Sequence, residues 1–247
     1  MSAGGAAVTL TFGSLFSGIG GIDLGLERAG MQCKWQVELD DYCLKVLAKH
    51  WPDVPRYGDI KELDPHDLAP VDLICGGFPC QPVSIAGKRL AQADERWLWP
   101  EFFRIVRTLR PRYVLVENVP GLLSAGMGDV LGDLAADGYD AEWDCILAAA
   151  VGASHLRCRV FVVAYPTGCY VSEQVSPQSI IRERRAESRG GGSNESRPGW
   201  WLPEPPLDRM ADGVPCGVVR APLKALGNAV VPQVAEWIGR RIVDAAS

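Results

Sequence analysis

The sequence contains no long hydrophobic run and few histidines, and these absences exclude several classes of protein. No apolar stretch among its 247 residues approaches the roughly 20 residues needed to cross a bilayer, and the N-terminus lacks a basic n-region. We therefore expect neither a membrane span nor a secretory signal, and we expect the protein in the cytoplasm. The three histidines are scattered and the eight cysteines include no Cys-x-x-Cys pair, so we expect no metal site.

An excess of basic residues is also missing, because the formal net charge is −5. Nucleic-acid-binding proteins usually carry a basic face, so this charge argues mildly against nucleic acid, although a local basic cleft can exist under an acidic total. The 47% hydrophobic and 22% charged content is typical of a globular protein with a sizeable core. The cysteine density is too low for a disulfide scaffold, and we expect free thiols, one of which is available as a nucleophile.

Strand and helix patterns alternate from the start of the chain to about residue 165. The pattern predicts strands at residues 8–16, 33–39, 71–75, 113–117, 142–149 and 160–164, and helices at residues 22–29, 41–51, 97–109, 130–136 and 231–243. This order is typical of an α/β protein with a doubly wound, mainly parallel sheet. Periodicity is absent from residue 166 to 206, and residues 182–194 have the composition of a poorly ordered segment.

A glycine-rich turn, Ser17-Gly18-Ile19-Gly20-Gly21, separates the first predicted strand from the first helix. Only glycine lets the backbone approach a ligand closely, so the turn suits a nucleotide-like ligand. Asp23 stands where the dinucleotide fingerprint requires glycine, which argues against an NAD oxidoreductase. Glu38 follows about 20 residues later, where a carboxylate can accept from ribose hydroxyls. A purely structural role is the alternative for two acidic residues: Glu38 would then start a solvated helix end, and Asp59 would be a simple turn residue.

The apolar run that ends at Cys75 leads into Gly76-Gly77 and then into Phe78-Pro79-Cys80-Gln81-Pro82. Ligands of open α/β sheets bind beyond the carboxyl ends of the strands, which is where this loop is expected. The two prolines restrict the backbone on both sides of Cys80, so its thiol is held in a defined direction. Taken alone, Cys80 fits an inert packing residue better than a nucleophile.

Five segments together resemble the C5-cytosine DNA methyltransferase family. They are LFSGIGG at 15–21, GGFPCQPVS at 76–84, ENV at 117–119, RCRV at 157–160 and LGNAV at 226–230, in the order that the family has them. The resemblance implies a fold of the S-adenosylmethionine-dependent methyltransferase type, with S-adenosylmethionine as methyl donor and S-adenosylhomocysteine as product. The implied cofactor-binding residues are Phe16, Gly18, Gly20, Gly21, Glu38, Asp59, Ile60, Asn228 and Val230.

The resemblance also implies methylation of carbon 5 of a cytosine that has been flipped out of double-stranded DNA. A thiolate of Cys80 would add to carbon 6 of the ring, and a protonated Glu117 would contact ring nitrogen 3. Arg157 and Arg159 alternate along a strand and would hold the base oxygen, a phosphate or the Glu117 carboxylate. The expected substrate contacts are Phe78, Pro79, Gln81, Ser84, Lys88 and Arg89.

The expected organisation is a catalytic domain at 1–165, a small target-recognition region at 166–222 and a C-terminal segment at 223–247 that returns to the catalytic domain. The family usually has a separate domain between its Arg-x-Arg strand and its Gly-Asn segment, whereas here only about 60 residues separate Ala164 from Leu226. We therefore expect a short recognition site, or a region that orders on DNA. His155 stands where the family commonly has glutamine.

The build is similar to that of small methyltransferases of bacteriophages and mobile elements, and we expect a monomer of the restriction-modification type. Three alternatives remain open. They are a tRNA C5-cytosine methyltransferase, whose nucleophile loop usually departs from Pro-Cys-Gln, a catalytically silent DNA-binding relative, which would have lost the cysteine, and an NAD oxidoreductase, which would require the complete dinucleotide fingerprint that is missing here.

Overall fold

The computed structural model describes residues 9–79, 97–153, 155–168 and 216–246. In this part of the chain, seven strands form one sheet in the order β3-β2-β1-β4-β5-β7-β6. The strands are β1 (Thr11–Leu15), β2 (Gln32–Val37), β3 (Arg56–Tyr57), β4 (Leu73–Gly76), β5 (Tyr113–Asn118), β6 (Tyr139–Leu147) and β7 (Cys158–Pro166). The first five pair in parallel and β7 runs antiparallel to both β5 and β6. The predicted mainly parallel α/β sheet is confirmed.

Helices cover both faces of the sheet. They are α1 (Gly21–Arg28), α2 (Asp41–His50), α3 (Trp99–Leu109), α4 (Met127–Ala136), α5 (Cys216–Asn228) and α6 (Pro232–Ala246). Apolar side chains of α1 and α6 form one core layer with the sheet, and those of α3 and α4 form the other. Small residues let α1 and α6 approach closely, since a Cβ on Gly25 would lie 2.4 Å from the carbonyl oxygen of Pro232.

The helix ends follow local chemistry that the sequence already carries. The Asp40 carboxylate accepts from the backbone N–H groups of Tyr42 and Cys43 at 3.0 and 3.2 Å, and so caps α2. The third helix ends at Leu109, and Arg110 then adopts a left-handed conformation with φ 52°. No helix in the described part of the chain is long and apolar enough to span a membrane.

Several elements differ from the predictions. Helix α4 begins at Met127 rather than at residue 130, α6 ends at Ala246 rather than at residue 243, β7 runs two residues further at each end, and β3 was not among the predicted strands. Strand β6 begins at Tyr139 rather than at residue 142, and Ala148–Val151 form a 3₁₀ turn instead of the end of that strand. Helix α5 was not predicted, because Pro222 within it and glycines near both of its ends obscure the helical pattern. Its continuity places the expected boundary between residues 222 and 223 inside a helix. The segment 182–194, predicted to be poorly ordered, lies outside the described residues.

Candidate active site

The predicted site residues gather at the edge of the sheet where the parallel strands end. Because β7 runs antiparallel to β5, its first residues also lie at this edge, and Asn118 pairs with Val160 there. One region is therefore surrounded by the residues that follow the ends of β1, β2, β3 and β4, by the end of β5 and by the start of β7. They are Phe16, Gly18, Gly20, Gly21, Glu38, Asp59, Ile60, Phe78, Pro79, Glu117, Arg157 and Arg159.

The glycine turn after β1 is held by close packing on one side and is open on the other. A Cβ on Gly20 would lie 2.5 Å from the Trp51 ring, and one on Gly21 would lie 2.4 Å from the carbonyl oxygen of Val230. Gly18 has φ 57°, and nothing lies within 4 Å of the position a Cβ would take. Gly20 and Gly21 are therefore required by packing, which brings Val230 to the turn, and Gly18 faces space that a ligand can fill.

The Glu38 carboxylate organises this turn through three backbone N–H groups. It accepts from Gly18 at 2.7 Å and from Leu39 and Asp40 at 2.8 Å. These bonds join the loop after β1 to the start of α2. The Leu39 side chain beside it is 67% exposed and offers apolar surface next to the carboxylate. Carboxylate and exposed apolar side chain together fit the sugar and ring of a nucleoside.

The remaining predicted cofactor residues differ in exposure. Asp59 is half-buried after β3 and accepts from the backbone N–H of Lys61 at 2.9 Å. Ile60 is buried, and its carbonyl accepts from Arg104 Nη2 at 2.7 Å. Asn228 is exposed at the end of α5, two residues before Val230. Asp59 and Ile60 thus lie in the loop after β3, and Asn228 lies at the end of α5.

A buried carboxyl below the glycine turn was not identified from the sequence as part of the site. Asp23 on α1 accepts from Ser14 Oγ at 2.9 Å and from Gln36 Nε2 at 2.7 Å, and so connects α1 to β1 and β2. Burial raises its pKa to about 6. The sequence did carry a signal for this buried carboxyl. Asp23 lies between Ile22 and Leu26 on the apolar face of a helix, where an unpaired charge would be unfavourable.

Glu117 is the buried acid of the site. Its side chain is at the end of β5, the residue is 7% exposed, and its Oε1 lies 3.1 Å from Arg159 Nε. A Cβ on Gly77 would lie 2.5 Å from Glu117 Oε2, so only glycine fits where β4 ends beside this carboxyl. Burial raises the pKa of Glu117 to about 7, against the opposing effects of Arg159 and Arg157. Near neutral pH this group can therefore hold or release a proton.

The two arginines of the Arg-x-Arg segment have different surroundings. Arg159 pairs with Ile146 in the β6–β7 ladder and forms the ion pair with Glu117. Arg157 directly precedes β7 and is half-buried, and burial followed by the charge of Arg159 lowers its pKa. Its Nε and Nη2 atoms and the Nδ1 atom of His155 are buried and have no hydrogen-bond partner among the described residues.

The loop after β4 begins on an aromatic support. The Phe78 ring is 3% exposed and packs edge-on against Trp97, with 5.2 Å between ring centroids. Its carbonyl accepts from Asn118 Nδ2 at 3.1 Å. We expected Phe78 among the substrate contacts, but its ring belongs to the core and anchors the loop from below. Asn118, at the end of β5, belongs to the ENV motif, but its anchoring role was not predicted from the sequence.

Pro79 is exposed at the end of this described stretch. The other expected loop residues, Cys80, Gln81, Ser84, Lys88 and Arg89, lie outside the described residues. Within the described ranges no three His, Cys, Asp or Glu side chains are grouped so that they could hold a metal ion.

Comparison with known proteins decides the family. Residues 10–190 match the sequence model of the family described as C-5 cytosine-specific DNA methylase. The chain belongs to this family. A relative, the Type II methyltransferase M.HgiCII of Herpetosiphon aurantiacus, is 35% identical over 182 residues, which are 70% of this chain and 41% of the relative.

Other members of the family also match this chain over part of their length. The Type II methyltransferase M.NgoMIV of Neisseria gonorrhoeae is 37% identical over 153 residues, covering 60% of this chain and 49% of that protein. The crystal structure of a prophage-encoded DNA modification methyltransferase from E. coli is similar with TM-score 0.55 at 29% identity, over 64% of this chain and 47% of that chain. This member of the C-5 cytosine-specific DNA methylase family thus spans about half the length of the curated relatives it matches.

Proposed function

We propose that this protein is a DNA (cytosine-5-)-methyltransferase that transfers a methyl group from S-adenosylmethionine to carbon 5 of cytosine. The observation that carries the proposal is Glu117, a buried carboxyl with a pKa raised to about 7, held between Arg159 and the end of β4. Such a group can be protonated at neutral pH and still exchange its proton with a bound ring. Relatives named Type II methyltransferases support the same activity.

On the cofactor side, Glu38 is proposed to accept from the ribose hydroxyls and Asp59 from the adenine amino group. Phe16 would contact the adenine ring, with Ile60 buried beside Asp59. The open space at Gly18 suits the donor end of the molecule. When bound there, S-adenosylmethionine would supply an electrophilic methyl group. The remaining proposed contacts are those of the turn and of the C-terminal segment, namely Gly20, Gly21, Asn228 and Val230.

On the base side, the Cys80 thiolate is proposed to add to carbon 6 of cytosine, which makes carbon 5 nucleophilic. Glu117 would share its proton with ring nitrogen 3 and so offset the charge that arrives on the ring. The Arg159 guanidinium would keep the carboxyl aimed at the ring. After methylation, loss of the carbon-5 proton and expulsion of the Cys80 thiolate would release 5-methylcytosine.

The base must leave the stacked duplex before Cys80 can reach it, which costs a few kcal/mol. We propose Pro79, Gln81, Ser84, Lys88 and Arg89 as the DNA-contacting loop and residues 166–222 as a small target-recognition region. Helix α5, whose first half belongs to this region, contacts α2. We further propose that the enzyme acts as a monomer in the cytoplasm, where its free thiols persist.

Methyl transfer from a labelled donor tests this proposal. The protein would be incubated with duplex DNA of mixed sequence and, separately, with tRNA, and the modified cytosines mapped. Cys80→Ala should abolish transfer and leave S-adenosylhomocysteine binding intact, whereas Cys145→Ala, a half-buried thiol on β6, should change neither. Duplex DNA containing 5-fluorocytosine should form a covalent adduct with the wild type, since fluorine blocks loss of the carbon-5 substituent. Label in tRNA alone would reassign the substrate, and wild-type turnover by Cys80→Ala would refute the mechanism.

A further inference from the structure

The loop after β3, which carries Asp59 and Ile60, has little support from the sheet. Strand β3 has two residues, and within the described part of the chain it lies at the edge of the sheet, paired with β2 alone. A ladder this short constrains the residues that follow it only weakly. Contacts from another part of the chain are therefore needed to hold this loop in one place.

Arg104 of α3 supplies such contacts. Its Nη2 donates to the carbonyl of Ile60 at 2.7 Å, and its Nη1 donates to the carbonyl of Leu63 at 3.0 Å. Its Nε lies 2.8 Å from Oε2 of Glu101, about one turn earlier on the same helix. All three guanidinium nitrogens are engaged, so one planar group joins α3 to a loop that is distant in the sequence.

The two carbonyls belong to the turn that presents Asp59 and to the residue after it. The backbone N–H of Glu62 donates to the carbonyl of Asp59 at 3.1 Å, and the backbone N–H of Lys61 donates to Asp59 Oδ1 at 2.9 Å. Ile60 lies inside this turn, and Leu63 directly follows it. A guanidinium bound to both carbonyls therefore fixes where the turn lies and in which direction the carboxylate points.

Burial of the Ile60 side chain alone would not fix that direction. The residue is 3% exposed and belongs to the core layer that α3 and α4 complete. The hydrophobic effect is non-directional, so it keeps the loop against α3 without selecting one orientation of its carbonyls. Hydrogen bonds to two carbonyls are directional, and they supply the missing constraint.

We infer that Arg104 is a positioning residue that aims the Asp59 carboxylate and so determines selectivity for the adenine amino group. This inference rests on the proposed function, in which Asp59 accepts from that amino group. A lysine would keep the charge and the pairing with Glu101. A point charge cannot bond two carbonyls and a carboxylate in one plane, however, so Arg104→Lys removes the aim and keeps the charge.

Calorimetry with two ligands separates aiming from mere stability. The ligands are S-adenosylhomocysteine and its analogue with purine in place of adenine, which lacks only the exocyclic amino group. The wild type should prefer S-adenosylhomocysteine about tenfold, as one hydrogen bond to a charged acceptor provides. Asp59→Ala should lose this preference. Arg104→Lys should reduce it to within about twofold and should bind the purine analogue nearly as the wild type does.

Arg240→Lys is the matched control. Arg240 also pairs with a glutamate on its own helix, Glu236 at 2.8 Å, and donates to a backbone carbonyl, that of Arg28 at 3.3 Å. This variant should keep the wild-type preference. Equal weakening of both ligands by Arg104→Lys would show a merely structural role and overturn the inference, as would an unchanged preference.

Hydrogen exchange of the ligand-free protein provides a second measurement that needs no cofactor. The amides of Lys61 and Glu62 are bonded within the turn, and Arg104→Lys should raise their exchange rates about tenfold relative to the amides of β4. Arg240→Lys should leave these rates as they are in the wild type. Unchanged exchange at both amides in Arg104→Lys would contradict the anchoring role and overturn the inference.

A second variant decides the matter if Arg104→Lys loses its thermal unfolding transition. Glu101→Gln removes the charge that holds Arg104 on the α3 side, so it should raise exchange at Lys61 and Glu62 and lower the preference for S-adenosylhomocysteine. No change in either quantity would overturn the inference.

The outcome is distinguishable from failure of the proposed function. A wild type that binds neither ligand, or that binds both equally, refutes the proposed cofactor contact and the inference with it. The same holds if Asp59→Ala keeps the preference. A wild-type preference that is lost in Asp59→Ala but kept in Arg104→Lys refutes the inference alone.

Discussion

Replacement of Glu117 by glutamine is the sharpest test of the acid in this site. We expect Glu117→Gln to lower kcat/KM about a thousandfold, because an amide cannot release a proton to the ring as the protonated carboxyl does. The pH profile is more diagnostic than the rate. Burial raises the pKa of Glu117 from its ordinary value of 4.5 to about 7, so this acid loses its proton within the range of a normal assay.

The shape of the wild-type profile follows from two ionisations of opposite effect. Below pH 7 the acid is protonated, and kcat/KM should rise about tenfold for each pH unit with the fraction of Cys80 thiolate. Above pH 7 the loss of the Glu117 proton cancels that gain, so the profile should level until the thiol, with an ordinary pKa of ~8.5, is ionised. In Glu117→Gln the rise should continue through pH 7 without this break.

The same group predicts how folding stability changes with pH. Because the folded-state pKa of Glu117 is raised above 4.5, its contribution is fully present below pH 4.5 and is lost as pH rises through about 7. The shift corresponds to at most about 3 kcal/mol of the free energy of unfolding. Urea unfolding below pH 4.5 and above pH 7 should show this loss of unfolding free energy in the wild type and a smaller loss in Glu117→Gln.

Glu236→Gln is the matched control for these measurements, since Glu236 pairs with Arg240 on the surface of α6 at 2.8 Å. It removes a carboxylate from an ion pair with arginine and should keep the wild-type profile of both activity and stability. A break near pH 7 that persists in Glu117→Gln would refute the assignment of the acid. So would a wild-type kcat/KM that rises through pH 7 without levelling.

Two further predictions concern the cofactor side. Glu38→Gln should weaken binding of S-adenosylhomocysteine by at least about tenfold in calorimetry, because a donor replaces one of the carboxylate oxygens, which accept from Gly18 and are proposed to accept from the ribose. Unchanged affinity would contradict this proposed role. Gly21→Ala should lower the free energy of unfolding by about 2 kcal/mol, since its Cβ would lie 2.4 Å from the carbonyl oxygen of Val230. The control is Gly132→Ala on α4, where nothing lies within 4 Å of the added Cβ, and this variant should be neutral or stabilising. Equal thermal stability of these two variants would contradict the close packing at Gly21.

The positions of the central strands in the sequence could be predicted because these strands are buried on both faces of the sheet. In β5 all six residues are buried, so the apolar run at 113–116 is continuous and its end is marked by Glu117 and Asn118. Glycine or proline follows most of these runs, which fixes where the loops begin. The location of the site at the carboxyl edge then follows from the parallel order of the strands.

Side-chain partners could not be predicted in the same way, because they join residues far apart in the sequence. The Phe78 ring is surrounded by Trp97, Trp99 and Phe102 from the start of α3 and before it, so a residue that precedes the Cys80 loop became part of the core. Nothing in the local pattern around Phe78 distinguishes a ring that faces solvent from one that supports a loop. Helix α5 is a similar case, since it packs on α2 despite an interior proline.

Asp23 and Glu117 show why a raised pKa alone does not identify a catalytic carboxyl. Burial raises the pKa of both, to about 6 and about 7. The carboxyl of Asp23 is enclosed, with hydrogen bonds from Ser14 and Gln36 to its two oxygens, so it has no path to a ligand. Glu117 stands at a strand end where ligands of such sheets bind, and one of its oxygens is held by an arginine. Geometry at the sheet edge therefore separates Glu117, the acid proposed to exchange a proton, from the acid that fastens β1, α1 and β2 beneath the glycine turn.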